Sequence, residues 1–222
     1  MAGPSVCPMC NEPLDDNILE TLPLRSGMNF DQQMKFCVAH RKISAGEDWK
    51  SRGYPDIDWQ ELDSRMVPHY PYLKAILEGK KSHFGDLLSK DIAAGKNRTL
   101  KKTEERLVPG YYGLRGLTAM SENIINEFSA LLRSRSVQDR TISARGYTSF
   151  VQVVMVPELA VRLIMEDMKV EAEAARVILR DSMALGTLLN EEIADVVLKD
   201  RDTDDEDSGT LSELSDVESV GF

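Results

Sequence analysis

Residues 147–168 read YTSFVQVVMVPELAVRLIMEDM, and this stretch decides the fold. Phe150, Val151, Val154, Leu159, Val161, Leu163, Ile164 and Met165 leave almost no polar face. A helix that is apolar nearly all round belongs at the centre of a core. Pro157 lies inside the stretch, where it either kinks one helix or occupies the first turn of a second. Val151, Val153, Val154 and Val156 are β-branched, which leaves a strand open for that portion.

Working outward, residues 171–185 are rich in Ala, Glu and Arg and predict a helix with Val177, Ile178 and Leu185 inward. Gly186 stands where a C-terminal cap belongs. On the other side, residues 134–146 are polar and Arg-rich and read as a loop. Before them, Leu117, Met120, Ile124, Phe128 and Leu131 make a helical stripe. Pro109-Gly110-Tyr111-Tyr112-Gly113 is an aromatic turn cluster. Residues 96–102 are basic and read as another loop. Ser82 can cap a helix carrying Phe84, Leu87, Leu88 and Ile92 on one face, ended by Gly95. A short helix is expected over 72–77, after an interruption by Pro68 and Pro71. Asp58 followed by Glu61 has capping-box spacing, so a helix should begin near Trp59. The fold class that follows is mainly α: a single helical domain with a zinc-binding element at its start and an acidic tail. The expected organisation is a zinc-pinned element over 1–41, packed into the same domain, a helical body over 42–190, and a disordered tail over 191–222.

The net charge of −10 is not spread evenly. Residues 191–222 contain twelve acids and two bases, which account for all of it; residues 1–190 contain 25 of each sign. A segment so acidic and so poor in apolar residues does not offset its ordering entropy. The first residues carry neither the basic region nor the apolar core of a signal peptide. No run approaches the roughly 18 apolar residues that cross a bilayer. A soluble intracellular protein with no membrane partner is expected.

The zinc expectation rests on Cys7-Pro8-Met9-Cys10 and Cys37-Val38-Ala39-His40, which use every cysteine in the chain. Two pairs, each with two residues between ligands, have the layout of a tetrahedral site. Three thiolates and an imidazole leave no open position, so one structural zinc per chain is expected and catalysis there is not. An odd number of cysteines fits disulfides badly, and no βαβ pattern surrounds the first pair as a redox motif would require. The stretch between the pairs is broken by Pro13, Pro23 and Gly27. It offers only Ile18, Leu19, Leu22 and Leu24 as an apolar patch, and so needs a staple.

Several stretches then coincide in order with one family: CPMCNEPL (7–14), FCVAHR (36–41), GYPDIDW (53–59), PGYYGLRG (109–116), VPELAVRLIMEDM (156–168) and ARVILRDSMALGTLL (175–189). On these the chain resembles the fungal restriction of telomere capping protein 4 family, in its C-terminal domain. The resemblance implies a mainly helical domain opened by the Cys/His segment, a link to telomere capping, and residence in the nucleus and cytoplasm. It implies no biochemical activity. The Cys motif begins at residue 7, so functions of the long region that often precedes this domain in the family are not carried over.

Other candidate chemistry is sparser. His69 and His83 lie in no catalytic motif, and there is no phosphate loop or nucleophile elbow. No enzymatic activity is expected. Glu158 and Arg162 have the spacing of a helical ion pair, with Arg162 a buried partner. Lys96, Arg98, Lys101 and Lys102, with Arg133 and Arg135 and further on Arg140 and Arg145, could meet phosphates, against the plainer reading of solvated loops. Tyr111 and Tyr112 beside Arg115 could stack on bases, or form a packed turn. Val196, Val197 and Leu198 before an acidic run resemble a SUMO-interacting segment, and equally a last helical turn. Thr203, Thr210 and Ser215 each precede an acid by three residues, as acidophilic kinases accept. The expected function is that of a zinc-stabilised interaction protein with an unknown protein partner. The alternative is a nucleic-acid-binding zinc protein using the two basic loops.

Overall fold

In the computed structural model, which describes residues 5–24, 26–95 and 108–191, the stretch 147–168 is one continuous helical rod. It is assembled from three pieces. An α-helical turn at Tyr147–Phe150 passes into a π-helical turn at Val151–Met155 and then into Val156–Met168. The strand alternative is not realised. Pro157 sits in the first turn of the third piece. It has no N–H for the preceding turn, and its ring would press on the carbonyl four residues back. The wider π turn opens the backbone where that ring arrives. By length and mean hydropathy (1.5) the rod could cross a membrane, yet 67% of its most apolar stretch is buried inside the protein. Leu159, Ala160, Leu163 and Ile164 are wholly buried, so the apolar circumference is spent on neighbouring helices.

In chain order the helices are α1 (Asp16–Thr21), α2 (Phe30–Ser51), α3 (Leu62–Met66), α4 (Tyr70–Leu77), α5 (His83–Ala93), α6 (Gly113–Gln138), α7 (Arg140–Arg145), α8 (Tyr147–Phe150), α9 (Val156–Met168), α10 (Ala172–Asp181) and α11 (Met183–Leu189). Short 3-10 turns occupy Val67–His69 and Gly110–Tyr112. Among the described residues there is no β-strand, only an isolated bridge between Val6 and Pro13. The mainly helical reading therefore holds. α9 and α10 pack as a pair, and α6 and α5 flank the π turn. The main core runs from Trp49 and Leu62 through Met120, Ile124 and Leu132 to Val154, Leu159 and Leu179.

Several local expectations are corrected. Pro68 and Pro71 do mark a break, as expected: α3 ends at Met66, each proline stands in the first turn of the segment that follows, where a missing N–H costs nothing, and α4 begins at Tyr70, two residues before the expected start. Asp58 Oδ1 accepts from the N–H groups of Gln60 and Glu61, at 2.9 and 3.2 Å, but these residues form a turn and the helix starts at Leu62. Residues 134–146 are not a loop. α6 runs through to Gln138, bending at Phe128 (φ −106°, ψ 18°), and α7 follows at once. Asp139 caps α7 by accepting from Thr141 and Ile142, and Ile142 buries itself in the core. The predicted 171–185 helix breaks at Ser182. Ile178 and Leu185 pack against the core as expected, but Val177 is exposed and Ala175 and Leu179 are the buried residues. Gly186 is not a cap but an interior position of α11. A Cβ there would overlap the Gly110 carbonyl oxygen, so the glycine permits α11 to lie against the 110–112 turn.

The largest unanticipated element is α2. Its 22 residues carry no sustained apolar stripe, which hides it from periodicity, and it runs unbroken past residue 41. Its start was nevertheless written: Asn29 accepts from Gln32 N–H while the Gln32 side chain accepts from Asn29 N–H. α2 belongs to two clusters. Phe36 and Cys37 join Cys7, Leu14 and Ile18 in a small N-terminal core, and Trp49 enters the main one.

Candidate metal centre

The two Cys/His pairs reach one point from different elements. Cys7 and Cys10 lie on a tight turn, in which Asn11 N–H donates to the Cys7 carbonyl (2.9 Å) and Cys7 N–H to the Glu12 carbonyl (2.9 Å). Asn11 closes that turn at φ 59°, a left-handed conformation that asparagine tolerates well. Leu14 N–H donating to Ser5 O (2.8 Å) and the Val6–Pro13 bridge hold its base. Cys37 and His40 project from one face of α2, three residues apart.

The four ligand atoms lie within 4.8 Å of one another. His40 Nε2 is 3.3 Å from Cys10 Sγ. A zinc tetrahedron with Zn–S near 2.3 Å and Zn–N near 2.0 Å has edges of about 3.5–3.8 Å, so the quartet fits such an ion with little adjustment. Cys7, Cys37 and His40 are buried while Cys10 stands at the rim. Burial pushes the Cys37 thiol up to about 12, helped by the neighbouring Cys10 and Cys7 sulfurs. Burial also raises Cys7, but the backbone N–H groups of Cys10 and Met9 outweigh it and leave that thiol lowered. Burial lowers His40, which keeps its imidazole neutral and able to donate a lone pair. Three thiols crowded together resist becoming three thiolates on their own. A divalent cation supplies the missing positive charge. The arrangement can hold a metal ion. The Phe36 ring lies against His40 (centroids 5.8 Å apart), and Leu14 and Ile18 close the site from the side.

The other sequence candidates disperse. Lys96, Arg98, Lys101 and Lys102 lie outside the described residues, as do Val196, Val197, Leu198, Thr203, Thr210 and Ser215. Arg133 is exposed and Arg135 half-buried near the end of α6, on a helix and not on a loop. Tyr111 and Tyr112 are wholly buried, which removes them as base-stacking platforms. Arg115 instead covers the Trp59 ring at 4.3 Å. His69 is buried with Nε2 3.0 Å from Glu166 Oε1. His83 is exposed beside Phe84. Glu158 does not pair with Arg162. It accepts from the Tyr72 hydroxyl (2.8 Å) and from Phe84 N–H (2.9 Å), tying α4 and the start of α5 to α9. Arg162 lies over the Tyr72 ring at 3.5 Å.

A second polar centre escaped the sequence reading. Asp167 accepts from Tyr111 OH (2.7 Å), Tyr112 OH (2.5 Å) and Arg65 Nη2 (2.6 Å). Burial pushes both phenols far up, so they remain donors at any physiological pH. Only the adjacency of a carboxylate at the end of an apolar helix to a Tyr-Tyr turn hinted at it, and spacing alone cannot join residues 55 positions apart. A recess of about 450 Å³ is lined by Asp63, Tyr70, Ala119, Glu122, Asn123, Asn126 and Glu127. Neither His69 nor His83 is on its wall.

A family model for the RTC4-like domain matches residues 78–191. No curated protein and no solved structure matches the chain.

Proposed function

The chain belongs to the RTC4-like domain family, and from its Cys/His quartet we propose that it is a non-enzymatic interaction protein built around one structural zinc ion. One observation carries this reading: four side chains from two elements converge on one point. Four protein ligands complete a tetrahedron and leave no place for water or substrate, which suits a staple and not a catalyst. The ion would join the residue 7–14 turn to α2, and α2 in turn enters the main core through Trp49. The protein acts through contacts with a protein partner in the nucleus and cytoplasm, in a process linked to telomere capping, as the resemblance implies. The acidic residues that follow Glu191 offer a further contact of SUMO type through Val196, Val197 and Leu198.

Metal analysis of the purified full chain tests the reading. We expect about one zinc per chain, lost in Cys37→Ser together with protection of residues 7–22. Metal-free wild-type protein with an unchanged melting curve would refute it. A salt-sensitive shift with DNA, abolished by Arg133→Glu, would move the assignment to a nucleic-acid-binding zinc protein.

A further inference from the structure

α2 turns one apolar ridge to the outside. Phe30, Met34 and Val38 are spaced by four residues and are 62%, 42% and 40% exposed. Residues four apart line up along a helix, and the next in the row is Lys42. Lys42 Nζ meets Glu191 Oε2 at 2.8 Å, so the chain reaches the end of the described residues at the end of this ridge. Lys35 and Arg41 are exposed beside the row, and Asp31 is the acid at its far end. The ridge is therefore apolar along its crest and mostly basic along its flanks.

We propose that the ridge is occupied by this chain's own residues after Glu191. Three things on the molecule select that occupant. The first is position, because the Lys42–Glu191 ion pair delivers the chain to the ridge. The second is reach. From Lys42 to Phe30 is about 18 Å along a helix axis, and six residues of extended chain span about 20 Å. Ile193, Val196 and Val197 fall within that distance, and Leu198 is the residue after it. The third is charge. Between residues 192 and 198 the charged residues are Glu192 and Asp195, both acidic and with no base among them, and the ridge's flanks carry Lys35, Arg41 and Lys42. Apolar contact along the crest and opposite charge at the rim give an intramolecular cover. It would have to be displaced before any partner could take either Val196–Leu198 or α2. The inference concerns a surface outside the metal centre and stands whether or not zinc is the ion held there.

Photo-crosslinking of the purified full chain tests it. A p-benzoylphenylalanine placed at Met34 should join residue 34 to peptides from 192–222 within the monomer band. The cross-link should be lost at high ionic strength. The same probe at Leu87, an equally exposed apolar position on α5, should give no such product. Cross-links confined to a dimer band would make a second copy the occupant and overturn the proposal. So would cross-links that miss residues 192–222, or equal yields from positions 34 and 87. As an independent measurement, Val38→Glu should speed amide exchange in residues 192–200 at unchanged melting temperature; unchanged exchange would also overturn it. Metal content, read on the same samples, separates failure of this proposal from failure of the zinc reading.

Discussion

A single carboxylate, Asp167, illustrates what one residue can decide. It gathers two wholly buried phenols and a guanidinium from parts of the chain 55 to 102 positions away. Asp167→Ala leaves the two buried phenols without their acceptor and Arg65 with only the more distant Glu166 carboxylate (3.6 Å), and each orphaned buried donor costs about 1–3 kcal/mol. A large fall in melting temperature, read by calorimetry, is expected. Gly186→Ala acts by volume: its methyl group would enter the Gly110 carbonyl, and overpacking of this kind costs about 1–3 kcal/mol. His69 acts through pH. Burial, with Arg162 and Arg65 nearby, lowers its pKa below 6.5, while Glu166 opposes that shift without cancelling it. The unfolded chain therefore takes up the proton first. Stability is unaffected above 6.5 and declines as pH falls from there toward the folded-state pKa. His69→Gln should flatten that part of the pH–stability curve relative to wild type. Parallel curves would show that His69 does not titrate this way. Of these residues, the Gly and Tyr cluster could be picked out beforehand only as a turn, Gly186 only as a cap, and His69 only as a histidine outside any motif. A buried hydrogen-bond hub has no period and no spacing to read.

At the scale of elements, the difference between α9 and α2 is instructive. α9 announces itself because Leu159, Leu163 and Ile164 must all be hidden, and no loop could hide them. α2 shows no single apolar face because it serves three surroundings in turn. Phe36 and Cys37 face the metal centre, Trp49 faces the main core, and Phe30, Met34 and Val38 face outward. Its stability leans on its ends. Asn29→Ala removes the side-chain half of the capping box, leaving the residue 29 N–H to donate to Gln32, and should cost about 1 kcal/mol, measured by denaturant titration. The cost should be larger in chelator, when the metal no longer pins Cys37 and His40 to the turn below them. The same logic explains α7, which appears among polar residues because Asp139 caps it and Ile142 buries itself.

Among the described residues there is a large core and a small one, joined by α2. If zinc holds the smaller, chelation should release amide protection over residues 7–22 while α9 keeps its own, since local stability follows local burial. Simultaneous loss of protection in both would show that the two clusters fold as one unit. By itself the sequence determined that the fold is helical, that 147–168 lies at its centre, and which four side chains form the Cys/His quartet. Each of these is a matter of period or spacing along the chain. Only the tertiary structure decided that α2 carries half of the quartet, that Gly186 is a contact and not a cap, and that Asp167 and Glu158 are hubs. These depend on which distant surfaces meet, and no period or ligand spacing in the chain records that.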